Sequence, residues 1–441
     1  MPINKYFHDA IDTNRIDSEL YTTYNVKKGL RNEDGTGVLI GLTKIADVTG
    51  YERIDGKKVD CEGNLTYRGY AIRDLINGLS DKPNGFEEIS FLLLIGHLPN
   101  EEELEEYTKA LHSEYELPEG FFTHNILRYP SMNLMNKIQR SLLMLYEYDE
   151  DPDNVEPAEV FRKGLSIVAK MPSIIAYAYQ AKRHILNHKS LYIHRPKEEL
   201  TVAENILRMV RSDKQFTPLE AKVLDVLLVL HLYHGSGNNS TFTNLVVSST
   251  ATDIYSAMSA SVGSLKGPRH GGANLSAFQM VKEAVETVGL NASDEAITAY
   301  INKVLNKEAY DHSGLVYGFG HAVYTLSDPR AEIIREYAEK LADEKGKSDL
   351  YTFYTRFEKL AKKAIANKIG KNVCANVDFY SGMVYDMLEI NEDLFSPMFV
   401  TARMVGWLAH NIEDKLYCNK IIRPAGMYVG QINEYIDKED R

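Results

Sequence analysis

The stretch TPLEAKVLDVLLVLHLYHGSGNNSTFTNLVVSSTATDIYSAMSASVGSLKGPRHGGAN, Thr217 to Asn274, decides how the rest of the chain is read. Its first part, Thr217 to His234, is apolar on nearly every side. That predicts a largely buried helix, ending at Gly235. Thr241 to Leu265 is predicted as one long helix rich in Ser and Ala, whose small side chains suit a tight helix–helix contact. Two glycine-flanked turns each carry a histidine, His234 and His270. Gly271 and Gly272 let the backbone turn freely and leave His270 uncovered. The following run, Ala273 to Val288, reads as a helix whose free N–H groups face His270 and disfavour imidazolium. A neutral histidine can donate a hydrogen bond without carrying charge. A plain loop histidine between helix breakers accounts for the same residues.

Outward from this stretch the helical texture continues. Phe86 to Ile95 is an apolar helix stopped by Gly96, and Asn100 with Glu103 forms a capping box for the next. The clearest strand signal is Thr43 to Tyr67, where Ile54-Asp55-Gly56 gives a turn between short alternating runs. The polar run Asp149 to Glu156 reads as a surface loop. Glycines near Gly272 could absorb a hinge rotation, so a domain boundary is expected there. The fold class expected is all-α with one minor β-hairpin.

Bulk properties narrow the function. The chain has 441 residues, 44% hydrophobic and 25% charged, the balance of an ordinary globular protein. A formal net charge of −12 argues against general nucleic-acid binding. It leaves room for an anionic small substrate held by a few arginines in one cleft. The polar N-terminus lacks an apolar signal core, and no run reads as a membrane span. Three scattered cysteines, Cys61, Cys374 and Cys418, suggest a reducing compartment, the cytoplasm, with no disulfide framework.

Five segments carry chemistry. His231 and His234 are three apart at a helix end, but no further ligands accompany them, so no metal site is expected. His231 packs, and His234 either caps the helix or donates to an anion. In GFGHAVYTLSDPRA, Gly318 to Ala331, His321 follows a glycine turn. Pro329 starts a helix there, with Asp328 as its cap. Arg330 then lies in the first turn, poorly matched to the helix dipole, a place where a cation serves a ligand. In ANVDFYSG, Asp378 stands beside Val377, Phe379 and Tyr380; burial there would raise its pKa and make it a better proton acceptor. A helix N-cap aspartate is the alternative. Arg403 interrupts the apolar run Phe399 to His410 and needs a carboxylate from the protein or a ligand. Arg423, before Pro424, lies in an extended segment able to reach a neighbouring subunit, or is a plain surface arginine. With His270, this gives three histidines beside glycines, one aspartate and three arginines. Arginines bind carboxylates bidentately, neutral histidines polarise carbonyls, and an aspartate can remove a proton next to a carbonyl. The set fits carbon–carbon bond formation between a carbonyl acid and an enolisable partner.

These segments resemble the citrate synthase family over nearly the whole chain. HGSGNNSTFT, LKGPRHGGAN, GFGHAVYTLSDPRA, NVDFYSG, RMVGWLAH and RPAGMYVG occur in that family's order. The resemblance implies that Asp378 takes a proton from the methyl of acetyl-CoA. It implies that His270 hydrogen-bonds the thioester oxygen and that His321 polarises the oxaloacetate carbonyl. His234, Arg330 and Arg403 would hold the oxaloacetate carboxylates, and Arg423 would complete the partner's site in a homodimer, with higher assembly left open. Acetyl-CoA is a co-substrate; no permanently bound cofactor and no metal are expected. The family's fold implies a large domain, residues 1–274 with 389–441, and a small domain, residues 275–388, that closes over substrate. CoA contacts would fall on the backbone around Leu315, Val316 and Gly318 for adenine, and on Lys368 and Lys371 for phosphates. Two positions depart from many bacterial relatives: Arg269 stands before the first catalytic histidine, and Ala322 follows His321. A 2-methylcitrate synthase using propionyl-CoA would share the machinery, because one methylene shifts discrimination by only roughly 1–3 kcal/mol. A catalytically silent acyl-CoA binder and a His-rich metal binder are the readings from other classes.

Overall fold

The structure, a computed structural model, describes residues 6–8, 10–11, 14–418 and 420–440. It divides into two units, residues 43–421 and residues 1–42 with 422–441. The smaller unit contains a short helix, α1 (Glu19–Thr23), and a turn in which the Asp34 carboxylate accepts from the Thr36 N–H at 2.9 Å. Its C-terminal segment is extended, and Arg423 there is exposed.

In the larger unit, β1 (Ala46–Ile54) pairs antiparallel with β2 (Lys57–Tyr67). The two turn residues, Asp55 and Gly56, sit at φ 51° and 76°. Positive φ at both positions is what a tight two-residue hairpin turn requires. A third strand, β3 (Tyr70–Ala71), adds to β2, one more than the single hairpin expected.

Helices make up most of the remaining regular structure, as an all-α reading requires. They are α2 (Ile72–Gly78), α3 (Gly85–Ile95), α4 (Glu101–His112), α5 (Leu134–Leu145), α6 (Pro157–Ala181), α7 (Val202–Val210) and α8 (Pro218–His231), followed by α9 (Asn239–Ser248), α10 (Ile254–Leu265), α11 (Ala273–Val288) and α12 (Asp294–Leu305). The last four are α13 (Pro329–Glu344), α14 (Ser348–Ile369), α15 (Val377–Met387) and α16 (Phe395–Tyr417). The local signals act as read. Gly96 ends α3 at φ 108°, and Asn100 and Glu103 close a reciprocal capping box on α4. Residues 149–156 form a loop.

Two helix readings need correction. The run Thr241–Leu265 is two helices, not one. Ala251 takes φ 62°, which no helix tolerates, and Asp253 then caps α10 by accepting from the Ser256 N–H at 2.7 Å. Likewise α8 stops at His231, so His234 lies in the turn beyond it and caps nothing.

The core is built around α16. Every side chain from Val400 to Asn411 on this helix is buried, including Trp407 and Arg403. Such all-round burial needs close neighbours, and glycines supply the space. A Cβ at Gly406 would lie 2.4 Å from the Leu232 carbonyl, where the chain leaves α8. The small residues of α9 and α10 act the same way. Asn244 donates to Ser261 at 3.1 Å, and Ser259 donates to the Gln139 carbonyl of α5 at 3.1 Å. Separately, α11, α13 and α15 pack together, with α12 against α14.

Replacing Gly406 by Ala should push α16 off the end of α8 and destabilise the fold by roughly 1–3 kcal/mol. A lowered chemical-denaturation midpoint with unchanged slope is the expected reading.

Candidate active site

His234, His270, His321, Arg330, Asp378 and Arg403 converge inside the larger unit. They arrive from the turn after α8, the turn before α11, the loop before α13, the first turn of α15 and the middle of α16.

The loop before α13 is tied to the start of α15 by backbone. Phe319 and Ala375 form an isolated antiparallel bridge. Gly320 N–H donates to the Cys374 carbonyl, and Asn376 N–H to the Gly318 carbonyl, both at 2.9 Å. The Asn376 side chain adds a bond from Nδ2 to the Gly320 carbonyl and caps α15. So Asp378 is not the cap; it stands one residue inside the helix. Gly318 is required here twice over: its φ is 82°, and a Cβ would lie 2.8 Å from that of Phe379.

His321 follows this clip. Its Nδ1 accepts from the Val323 and Tyr324 N–H groups at 3.0 and 3.1 Å. Two converging donors need a lone pair on Nδ1, which places the ring proton on Nε2. The ring stacks on Tyr324 at 4.8 Å and meets His234 edge-on at 4.7 Å. His234 is buried, its Nε2 has no partner, and burial with the Arg330 charge holds its pKa well below the usual value. His231 packs as expected, its Nδ1 2.7 Å from the Leu227 carbonyl.

His270 contacts the Ser240 hydroxyl through Nε2 at 3.1 Å. Ser240 also donates to Asn238 at 2.8 Å and accepts from the Trp407 indole at 3.3 Å. Burial, with Arg403 second, lowers the His270 pKa to about 4. The ring is therefore neutral, as expected, through burial and a nearby cation rather than the helix end. Gly271 and Gly272 lack left-handed φ, contrary to a freedom-of-turn reading. They are needed for space: a Cβ at Gly271 would lie 2.3 Å from the Leu265 carbonyl.

The two buried arginines differ. Arg330 forms a two-point pair with Asp328, through Nε at 3.0 Å and Nη2 at 2.8 Å. Burial works against its charge, but Asp328 prevails and raises the pKa. Asp328 thus caps α13 and also carries the counter-charge. Arg403 has no such partner. Its Nε donates to the His231 carbonyl at 2.8 Å, and its guanidinium lies 4.5 Å from the Phe399 ring centre. Both Nη groups are buried and have no hydrogen bond among the described residues. Burial, helped by repulsion from Arg330, pulls its pKa down to about 9. A buried guanidinium with two idle N–H groups is costly unless an anion completes it.

Asp378 faces the same chamber. Burial raises its pKa to about 6 against the pull of Arg330 and Arg403. The residue keeps some surface open to solvent, yet its carboxyl is enclosed enough for desolvation to dominate.

The remaining positions are scattered. Leu315 is exposed, Val316 is in the core and Gly318 is buried. Lys368 donates to the Leu305 carbonyl and closes the end of α12, while Lys371 is exposed. Arg269 and Ala322 are both exposed. Arg423 belongs to the smaller unit. Ser240, Trp407 and Asn376 support the site without having been assigned a role from sequence. Trp407 was within reach of such reading, being four residues after Arg403 on one helix face. Among the described residues no cluster of His, Cys, Asp or Glu could hold a metal, and no helix is long and apolar enough to cross a membrane.

The profile described as "Citrate synthase, C-terminal domain" matches residues 34–425. The chain belongs to the citrate synthase family. Citrate synthase 2 of Bacillus subtilis is 35% identical to it, over 84% of this chain and 91% of that one. A 2-methylcitrate synthase of Shewanella oneidensis is 32% identical over 83% and 88%. Among solved structures, citrate synthase from Thermoplasma acidophilum, in a ternary complex with carboxymethyl coenzyme A and oxaloacetate, superposes with a TM-score of 0.77. It is 27% identical and covers 94% of this chain and 99% of its own. The family's chemistry is acyl transfer, so the chain is an acyltransferase-type enzyme.

The Asp378 carboxyl should make stability depend on pH. Below pH 4 it is protonated in both states and contributes nothing. Between about 4 and about 6 the unfolded chain releases its proton first, so folding becomes less favourable as pH rises. Asp378→Asn cannot ionise. It should melt above the parent protein at pH 8, with the gap shrinking toward pH 4.

Proposed function

We propose that the protein condenses acetyl-CoA with oxaloacetate and hydrolyses the resulting citryl-CoA to citrate and CoA. The observation that carries this reading is Arg403: a buried cation with two idle Nη groups, in one chamber with neutral histidines and a raised-pKa carboxylate. Such a chamber asks for an anionic carbonyl substrate.

Arg403 takes one oxaloacetate carboxylate, with His234 and Arg330 positioning the rest of the molecule. Arg330 keeps Asp328 as its partner, so its remaining N–H edge does the binding. The His321 Nε2–H donates to the keto oxygen. Asp378 removes a proton from the acetyl methyl group. A pKa of about 6 leaves it mostly ionised at neutral pH, yet a stronger base than an ordinary carboxylate. His270 meets the thioester oxygen as negative charge develops. When Ser240 turns its hydroxyl proton to Nε2, the ring proton sits on Nδ1, free to donate. The enolate carbon then attacks the keto carbon, whose oxygen takes the Nε2 proton of His321. Water cleaves the thioester of citryl-CoA, releasing the thiol. CoA lies along residues 315–318 and the lysines 368 and 371. The protein works as a homodimer, Arg423 of each subunit completing the other's carboxylate site, and each subunit closes residues 275–388 over the rest. Its place is the cytoplasm.

Thiol release from acetyl-CoA and from propionyl-CoA, each with oxaloacetate, tests the reaction. Faster release from acetyl-CoA is expected, falling as pH drops through about 6 when Asp378 protonates. Faster release from propionyl-CoA would make the protein a 2-methylcitrate synthase, the activity named for the Shewanella relative. No thiol from either would sink the reading. Arg403→Met offers an independent check. Removing an uncompensated buried charge should raise the melting temperature of the free protein while abolishing the stabilisation that oxaloacetate confers. A lowered melting temperature, or an intact oxaloacetate effect, would remove Arg403 from the site.

A further inference from the structure

A polar cleft of about 420 Å³ opens away from the residues described above. One wall comes from the π-helical turn Lys182–Leu186 that ends α6, with the loop after it and the loop after α7. The other is the segment 388–393, which joins α15 to α16. The charges on these walls are unevenly matched. Asp393 is taken by Lys182 at 2.7 Å. Arg211 is taken by Glu220, and its Nη2 holds the Leu388 carbonyl at 2.5 Å, leaving its buried Nε without a partner. Arg183 lies 5.6 Å from the ring centres of both Tyr179 and Tyr192, and among the described residues its side chain makes one hydrogen bond, a long one to Gln180 at 3.5 Å. Neither Arg183 nor Lys189 forms an ion pair among the described residues. Asp213 lies beside them on the loop after α7, and Glu389, exposed and only loosely paired with Lys345 at 3.8 Å, faces them from the other wall.

From this arrangement we propose that the cleft binds a small phosphate monoester with hydroxyl groups. Arg183 is a planar fork within cation–π reach of two rings, and Lys189 is an exposed point charge; together they suit a single phosphate head. The two carboxylates of the cleft select the tail. A second anionic group would meet Asp213 and Glu389, which disfavours di- and tricarboxylates such as the proposed substrate and product. Hydroxyls would instead donate to those carboxylates. Because one wall is the joint between the helices that carry Asp378 and Arg403, occupancy should be felt in turnover. A ligand has that effect only if it prefers one arrangement of the joint. This last link rests on the proposed activity; the binding does not.

Calorimetric titration of the full chain with glycerol 3-phosphate, with inorganic phosphate and citrate alongside, tests the proposal. One saturable site is expected, weakened at least tenfold by Arg183→Gln and by Lys189→Ala. Lys189 is exposed, so that variant should fold normally. Absence of saturation at concentrations on the order of 10 mM, or equal affinity in the Lys189 variant, overturns the site. Citrate binding that matches glycerol 3-phosphate and is lost in Lys189→Ala overturns the phosphate assignment. An unchanged thiol-release rate at saturating ligand, in an enzyme active on acetyl-CoA, overturns the coupling alone.

Discussion

Two buried guanidinium groups act on the same carboxyl, and only one of them has a counter-charge. Arg330 is neutralised by Asp328 two residues earlier, before the helix has properly begun. Arg403 is left with a backbone carbonyl, a phenyl face and two idle Nη groups. Burying a charge in this state is among the more expensive things a fold can do. The surroundings offset it. From Val400 to Asn411 α16 is enclosed by other helices, and Gly406 allows the end of α8 to approach closely. A helix buried on every side from Val400 to Asn411 is therefore also the one that holds the unsatisfied cation. That is the pattern of a binding site prepared in advance of its ligand, where stability elsewhere supports strain at one place.

A second constraint fixes distances that the arginines alone cannot. His321 and Asp378 lie on segments far apart in sequence, yet the Phe319–Ala375 bridge and the Asn376 side chain join those segments directly. The β1–β2 hairpin presses on the same loop from outside. Cβ atoms at Gly50 and Gly63 would meet the Val323 and Ser327 carbonyls at 2.6 and 2.1 Å, and Gly63 N–H donates to the Ser327 hydroxyl at 3.0 Å. A hairpin that looks incidental in an otherwise helical protein is thus the backing of the His321 loop.

Much of this was legible in the sequence. Helix ends were marked by local chemistry: a capping box at Asn100, a left-handed glycine at Gly96, a proline after Asp328. The site residues were legible as types, because histidine after glycine and arginine inside an apolar run have few structural uses. What failed did so for local reasons. The break at Ala251 carries no glycine or proline, so small polar residues read on as one helix. Ser240 and Asn376 were passed over because their roles depend on partners 30 and 56 residues away, His270 and Gly320. The pairing of Arg330 with Asp328 was missed because a capping aspartate already had a sufficient explanation. The convergence of the segments could not come from spacing at all.

The electrostatics of the chamber connect binding to chemistry. The arginines help keep His270 and His234 neutral and pull the Asp378 pKa down against its burial. An anion seated on Arg403 cancels part of that field and adds negative charge of its own. Both changes move the neighbouring groups the same way, toward higher proton affinity. Asp378 becomes a stronger base, while the neutral imidazoles hold their protons more tightly. In the proposed reaction the empty site therefore holds its base in a weaker state, and the carboxylates of the first substrate strengthen it. Such an arrangement needs no moving part. It needs only that the cations proposed to recognise one substrate lie close enough to bias the carboxylate proposed to act on the other, as Arg330 and Arg403 bias Asp378.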